Sequence, residues 1–546
     1  MNSRGNRSLA FFLSSVILSI TVGVQSLSVQ TTSSAPTTMS SSSSSNGSCA
    51  SDNTATADLP LLPLLQDTFG SSLQSYQIQT TIVQANAKGF IVNLQTKSDD
   101  PTTATTIPSQ VFVKQVLAQD YLLTKKDWSD LRRTLCYART ETRFYRDFLP
   151  LLSQSGVQAA SFPVTYRASD QLEPWIPRDE LANAPAVLHK QCEPLAEFLQ
   201  QQQQRKSTTQ RDEVTAPQAA SLLAPATTND SNDDDKNNKD KPQLVPPGAV
   251  IVLQAIDTQT EYYQTSPISL PECRRCLAAA AQLHAAAWQQ ETLLKKAATE
   301  LSRASFHLSV RNPRELATSV ATWEEHFLPT FRAQLQEARL WDQPSIQSLG
   351  KRMFQLAEYV SEQVTPPSAS APHATLIHGD FKAMNVFLPQ TRNDSNDNND
   401  KPVILVDFAS VGVGLGVSDV AMHIHHAMTP DDLANGGEEA LLRHYWTTLT
   451  QHLRKQQDQQ EETEDDTYED YYSWEECQRH YKLAVVDYFR FFMARFWKTA
   501  TPESMAQKKE SCNTNYINRD PRAAMAFIER VDRYLAEIEV EYRERQ

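Results

Sequence analysis

Apolar residues along the first half of the chain alternate with polar ones over short runs. Gln77 to Val83 and Gly89 to Gln95 read as the strands of a hairpin with Asn86-Ala87-Lys88-Gly89 as its turn. Val111-Phe112-Val113-Lys114 is a β-branched and aromatic run that predicts a strand ending in a lysine, and further strands fall near Phe162 to Tyr166 and at Val250 to Leu253. Between them Leu131, Leu135, Phe144, Tyr145 and Phe148 recur at helical spacing, which puts Glu141 on a helix. Three apolar runs, Ala374 to Ile377, Val386 to Leu388 and Val403 to Val406, predict strand, loop, strand, turn, strand. Toward the end, Tyr488, Phe489, Phe491, Phe492, Phe496 and Trp497 form a broad helical stripe, read chiefly as core.

The pattern lapses in several places. Gln200 to Pro247 passes from a glutamine run into Asn/Asp/Lys-rich sequence that offers nothing to bury, so a disordered insert is expected at 200–247. A polar loop insert at 389–401 and an acidic segment at 456–470 are expected to be solvated. At the start, Arg4 and Arg7 precede Leu9 to Val24, a stretch of sixteen, with Val24-Gln25-Ser26 as a cleavage site. Residues 1–26 therefore read as a signal peptide-like leader, too short for a membrane span, and 27–58 as a Ser/Thr-rich disordered segment. Secretion or lumenal retention, two-step plastid import and a signal anchor all remain open. No stable span is expected once the leader is removed. Sequons at Asn46, Asn229 and Asn393 lie in Asn- and Ser-rich tracts.

The chemistry concentrates at His378-Gly379-Asp380, Asn385 and Asp407, an order and spacing that match H-x-D-x-x-x-x-N followed by a carboxylate on a later strand. Phosphoryl transfer needs such a set. A carboxylate, Asp380, orients and deprotonates the acceptor hydroxyl, while oxygen ligands, Asn385 and Asp407, hold magnesium against the nucleotide phosphates. Upstream, Lys114 supplies a phosphate contact and Glu141 an ion-pair partner to aim it. Lys88 and Gly89 are candidates to cover the phosphates, although a single glycine there makes no G-x-G-x-x-G loop.

These residues resemble the choline/aminoglycoside phosphotransferase superfamily, most closely its ecdysteroid kinase-like branch. The resemblance rests on V-F-V-K at Lys114, E-T-R-F-Y at Glu141 with Leu149-Pro150 after it, and L-A-A-A-A-Q-L-H-A-A-A-W from Leu277 to Trp288. H-G-D-F-K-A-M-N at the catalytic loop and V-D-F followed by S-D-V-A to Asp419 complete it, over roughly residues 80 to 430.

It implies an α+β, bilobal, protein-kinase-like fold. A small antiparallel-sheet N-lobe would span 59–257 and a larger helical C-lobe 258–546. It further implies ATP and Mg2+ as cofactors and a small-molecule hydroxyl acceptor. Asp419 would brace the catalytic loop, with His378 in structural support. Three positions depart from the family pattern. Gln254 stands where an acidic hinge residue is usual, Ala409 replaces a polar residue, and Lys382 occupies a position often filled by Trp, where it resembles the protein-kinase lysine that contacts the γ-phosphate.

A protein substrate is disfavoured, because only eleven residues separate Asp407 from Asp419 and no A-P-E follows. Gly412 to Gly416 lacks the spacing and setting of a dinucleotide fingerprint. Asp487 and the run Asp458 to Asp470 are candidate attractants for a cation such as choline, and an aromatic pocket would instead suit a steroid-like alcohol. A nucleotide-binding pseudokinase is the further alternative, disfavoured by the intact motif set. His423, His425 and His426 lack the spacing of a helical metal pair and are left without a role, and Cys273 and Cys276 form a lone CxxC, weak for zinc. The chain of 546 residues carries a net charge of −14 with pI near 5.4, which excludes a nucleic-acid footprint, and its seven cysteines lack disulfide-scaffold spacing.

Overall fold

The computed structural model describes residues 61–83, 87–96, 107–117, 128–172, 248–302, 316–390, 401–458 and 472–546. The leader, the Ser/Thr-rich segment, the three sequons, all of the insert 200–247 and most of the two later inserts lie outside the described residues.

The N-lobe is a five-stranded antiparallel sheet in the order β1-β2-β3-β5-β4. Its strands are β1 (Leu73–Val83), β2 (Lys88–Thr96), β3 (Gln110–Leu117), β4 (Thr165–Asp170) and β5 (Gly248–Gln254). Period-two alternation gives the sheet two apolar faces. Val111, Val113, Val250 and Val252 pack with Phe90 and Val92 beneath helix α1 (Leu61–Phe69), which the sequence reading did not anticipate. Phe112, Val116, Ile251 and Leu253 face the main core, and Lys114 shares their side of β3. Lys88 and Gly89, read as turn residues, belong to β2 instead, because Val83 pairs with Lys88 and Ile82 with Gly89. The strand expected near Phe162 starts instead at Thr165; Phe162 itself is buried against Phe408, with ring centroids 5.6 Å apart.

Helix α2 (Trp128–Arg143) carries Glu141 and runs on through a π-helical turn, Phe144–Phe148, into Leu149–Gln154. The C-lobe is helical. Helix α3 (Leu270–Ala287) begins at Ser269, whose backbone N–H donates to Glu272 at 2.6 Å in a capping box, and its alanines let it pack closely against the C-lobe core. Helices α4 (Leu349–Gln363), α5 (Val417–Ala427), α6 (Gly437–Asp458), α7 (Trp474–Arg495) and α8 (Pro521–Arg545) complete the bundle. The aromatic stripe of α7 is indeed core, with Tyr488, Phe489, Phe492 and Trp497 all buried.

Short strands carry the candidate chemistry at the junction of the lobes. Strand β6 (Tyr262–Tyr263) pairs with β8 (Val386–Pro389), β8 with β9 (Ile404–Leu405), and β7 (Thr375–Ile377) with β10 (Gly412–Gly414). The glycine-rich stretch after Asp407 is therefore sheet edge. Among the described residues no helix is long and apolar enough to cross a membrane.

Candidate active site

A cleft opens between the lobes. Ile82, Ile91, Phe112, Leu253, Ile256 and Phe387 give it apolar walls, and Lys114, Glu141 and Asp407 line it as charged groups. An apolar slot with charge gathered at one end suits a planar base joined to a polyanion.

Lys114 Nζ donates to Glu141 Oε2 at 2.7 Å and to Asp407 Oδ1 at 3.1 Å, and all three side chains are buried. Burial opposes the ammonium charge, but the two carboxylates outweigh it and raise the lysine's pKa. Burial pushes the Glu141 carboxyl up to about 7, with Lys114 pulling it down and Asp407 pushing it further up. Two carboxylates around one ammonium leave an excess of negative charge in a dry site. Asp407 sits in the left-handed region, at φ 67, where the chain turns from β9 into Phe408–Ser410. Phe408 then stacks on Phe144 at 3.9 Å and lies 4.5 Å from the His378 ring, so one side chain couples the Glu141 helix to the catalytic loop.

The catalytic loop is held by its own backbone and by α5. Asn385 N–H donates to the Lys382 carbonyl at 2.9 Å, and the Asn385 carbonyl accepts from Val406 N at 3.0 Å, which sets Asn385 beside Asp407. The Asn385 amide donates to the Asp380 carbonyl at 2.8 Å and its carboxylate at 3.3 Å, and Lys382 Nζ lies 3.3 Å from the same carboxylate. Beneath the loop, Asp419 accepts from His378 N at 2.7 Å and Gly379 N at 2.9 Å. Gly379, at φ 76, supplies the left-handed residue that lets successive N–H groups converge on one carboxylate. His378 Nε2 donates to the Val406 carbonyl at 2.9 Å while its Nδ1 accepts from Asp380 N at 3.4 Å. Asp419 and His378 are the two residues read as structural support of this loop, and these are the contacts they make.

Sequence reasoning missed the next layer. His284 Nε2 donates to Asp419 at 3.2 Å, its Nδ1 accepts from Tyr445 at 2.8 Å, and a Cβ at Gly416 would collide with both rings' polar atoms. The histidine cluster also has a role. His423 Nδ1 donates to the Phe381 carbonyl at 3.3 Å, and His426 Nδ1 accepts from Ala383 N at 3.4 Å. Burial holds His423 down to about 4 and His426 well below the usual range, consistent with uncharged rings serving as hydrogen-bond spacers. Asp419, His423 and His426 fall at i, i+4 and i+7, one polar stripe on a buried helix; that spacing was the available signal. His425 turns away to Glu438, 3.5 Å distant.

Other candidates are displaced from the chemistry. Asp487 is buried and accepts from Arg490 at 2.9 Å, so it is not a surface for a cationic acceptor. Cys273 and Cys276 are buried free thiols of α3. Gly89 lies opposite Lys114 in the sheet register and Lys88 opposite Gln115, but neither lines the cleft. Gln254 does line it, and both its backbone and its side chain engage Val164, at 2.8 and 3.3 Å.

Residues 246–458 match the model of the ecdysteroid kinase-like family. Over that segment the chain is similar to this family. That match bears out the resemblance read from the motifs, and it takes in Asp380, Asn385, Asp407 and Asp419. Lys114 and Glu141 lie before the matched segment and are joined to it by the ion pairs above. No curated protein matches this chain. Among solved structures, choline kinase LicA from Streptococcus pneumoniae is 10% identical, covering 87% of this chain and 99% of its own, with a TM-score of 0.31. An aminoglycoside phosphotransferase from Alicyclobacillus acidocaldarius is 10% identical over 86% of this chain and 93% of its own, at 0.29. Amicoumacin kinase hAmiN, solved with AMP-PNP, Ca2+ and Ami, is 11% identical over 86% of this chain and 92% of its own, at 0.32. Scores this low assign nothing further to this chain.

Proposed function

We propose that the protein is an ATP- and Mg2+-dependent kinase that transfers the γ-phosphate to a hydroxyl of a small molecule. The observation that carries this reading is the meeting of Lys114, Glu141 and Asp407, from three separate elements, beside an Asp380–Asn385 pair held at 3.3 Å. The hard oxygens of Asp407 and Asn385 suit Mg2+, and the Asn385 amide nitrogen is engaged by Asp380. When bound, the metal would supply charge neutralisation between the phosphates.

The chain's own residues do the rest. Asp380 orients the acceptor hydroxyl and takes its proton as the new O–P bond forms and the bond from phosphorus to the β–γ bridging oxygen breaks. Lys382, 3.3 Å from Asp380, neutralises charge on the moving phosphoryl group, and Lys114 does so on the nucleotide side. Because Asp487 is neutralised by Arg490, we favour a steroid-like or other uncharged alcohol over choline, ethanolamine or an aminoglycoside. Tyr488, buried in the C-lobe core, stands near enough to Asp380 for that charge, after burial, to raise its hydroxyl pKa. The leader points to entry into the secretory pathway.

The test is transfer from γ-labelled ATP across sterols, amino alcohols, aminoglycosides and a generic protein, with Asp380→Asn as control. A phosphorylated small molecule absent from the control supports the reading. Transfer to protein alone, or nucleotide binding without any transfer, overturns it.

A further inference from the structure

Away from the cleft, His373, Glu476 and His480 bring one ligand atom each to within 4.8 Å of one another. Glu476 and His480 are i and i+4 on α7, one helical face, and His373 reaches them from the turn before β7. His373 Nε2 lies 3.5 Å from Glu476 Oε2. Bonds of about 2.0–2.1 Å to a tetrahedral zinc ion place neighbouring ligand atoms about 3.4 Å apart, so this edge is already at the required length.

The surroundings are those of a built site. His480 Nδ1 is engaged by the Tyr472 hydroxyl at 2.9 Å, which orients the ring and leaves Nε2 as the nitrogen for a ligand. His373 adopts φ 61, rare for a residue with a Cβ, and its ring is fixed by Tyr472 at 4.6 Å and Trp288 at 5.7 Å. Burial lowers the pKa of both imidazoles, His480 to about 3, so their lone pairs are available at neutral pH. Glu476 is 42% exposed and gives an ion a way in.

We propose that His373, Glu476 and His480 bind a divalent transition metal of the zinc class, with water completing the shell. Two imidazoles and one carboxylate select this class over magnesium or calcium, which take oxygen ligands. The ion ties the turn before β7 to α7. β7 ends one residue before His378, and α7 carries the buried Tyr488 eight residues beyond His480. The site therefore clips together the strand that leads into the His378 loop and the core helix packed in the C-lobe.

The full chain, freed of metal by chelation and held in excess Mg2+, is titrated calorimetrically with Zn2+, and Co2+ is used as a coloured probe. The expected result is one Zn2+ per chain, a melting temperature raised by a few degrees, and Co2+ ligand-field bands that Zn2+ displaces. Glu476→Gln, at a half-exposed position that tolerates the change, removes that equivalent, as does His480→Ala. Tyr472→Phe keeps the stoichiometry and weakens binding about 10–100-fold. Absence of binding, or an equivalent that persists unchanged in Glu476→Gln, overturns the proposal. None of these readouts depends on kinase activity.

Discussion

Lys114, Glu141 and Asp407 arrive at the cleft from β3, α2 and the turn after β9, whereas Asp380, Lys382 and Asn385, beside them, come from six consecutive residues. The first group is buried and over-supplied with negative charge; the second rests on Asp419, whose oxygens accept from two backbone N–H groups and His284. Two aspartates twelve positions apart thus do opposite work. Asp419 accepts from the loop backbone and supports it, while Asp407 is held in a left-handed turn beside the Lys114 ammonium, which it shares with Glu141.

The sharpest break in that comparison comes from Asp380→Asn. Loss of the base should lower kcat by about 10²–10⁴-fold while leaving nucleotide affinity and melting temperature near wild type, read by transfer assay and calorimetry. Exchanging the two aspartates separates function from support. Asp419→Asn exchanges an acceptor oxygen for a donor amide facing buried N–H groups and should cost about 2–4 kcal/mol in urea unfolding. Asp407→Asn should stay within about 1 kcal/mol of wild type, since Glu141 still pairs Lys114, yet lose activity.

Charge excess also has a pH signature. The folded pKa of Glu141, about 7, lies above its ordinary value, so its contribution to stability is full below about pH 4.5 and is lost as pH rises through 7. The span is at most about 3 kcal/mol. Glu141→Gln should flatten the stability profile of the nucleotide-free protein between pH 5 and 8; a slope left unchanged would assign the titration elsewhere. Gln254→Ala should have the smallest effect, about 1 kcal/mol or less, because its backbone bond to Val164 survives.

Local chemistry was legible in the sequence. The catalytic loop, the strands flanking it and the lysine strand all declare themselves through short apolar runs and fixed spacing, since a tight loop between strands leaves little freedom in where Asp380 and Asn385 stand. Lys88 and Gly89 were set in a turn because turn chemistry fixes a hairpin only to within a residue or two, and pairing with β3 decides the register. Asp487 and the histidines of α5 were misjudged or left open for a related reason. Whether a polar residue on an apolar helix faces ligand, solvent or another polar group depends on what packs against it, and Arg490, Phe381 and Ala383 settle that only in three dimensions.

The sequence by itself determined which candidate groups stand together around Asp380 and Asn385 and the strand-loop-strand frame that carries them, because both depend on residues close along the chain. Only the tertiary structure decided that Lys114 meets Asp407 across 293 positions, that His284 underpins Asp419, and that His373 meets α7. Those contacts carry no signal in local spacing, for the packing of whole lobes brings them together after the local elements have formed.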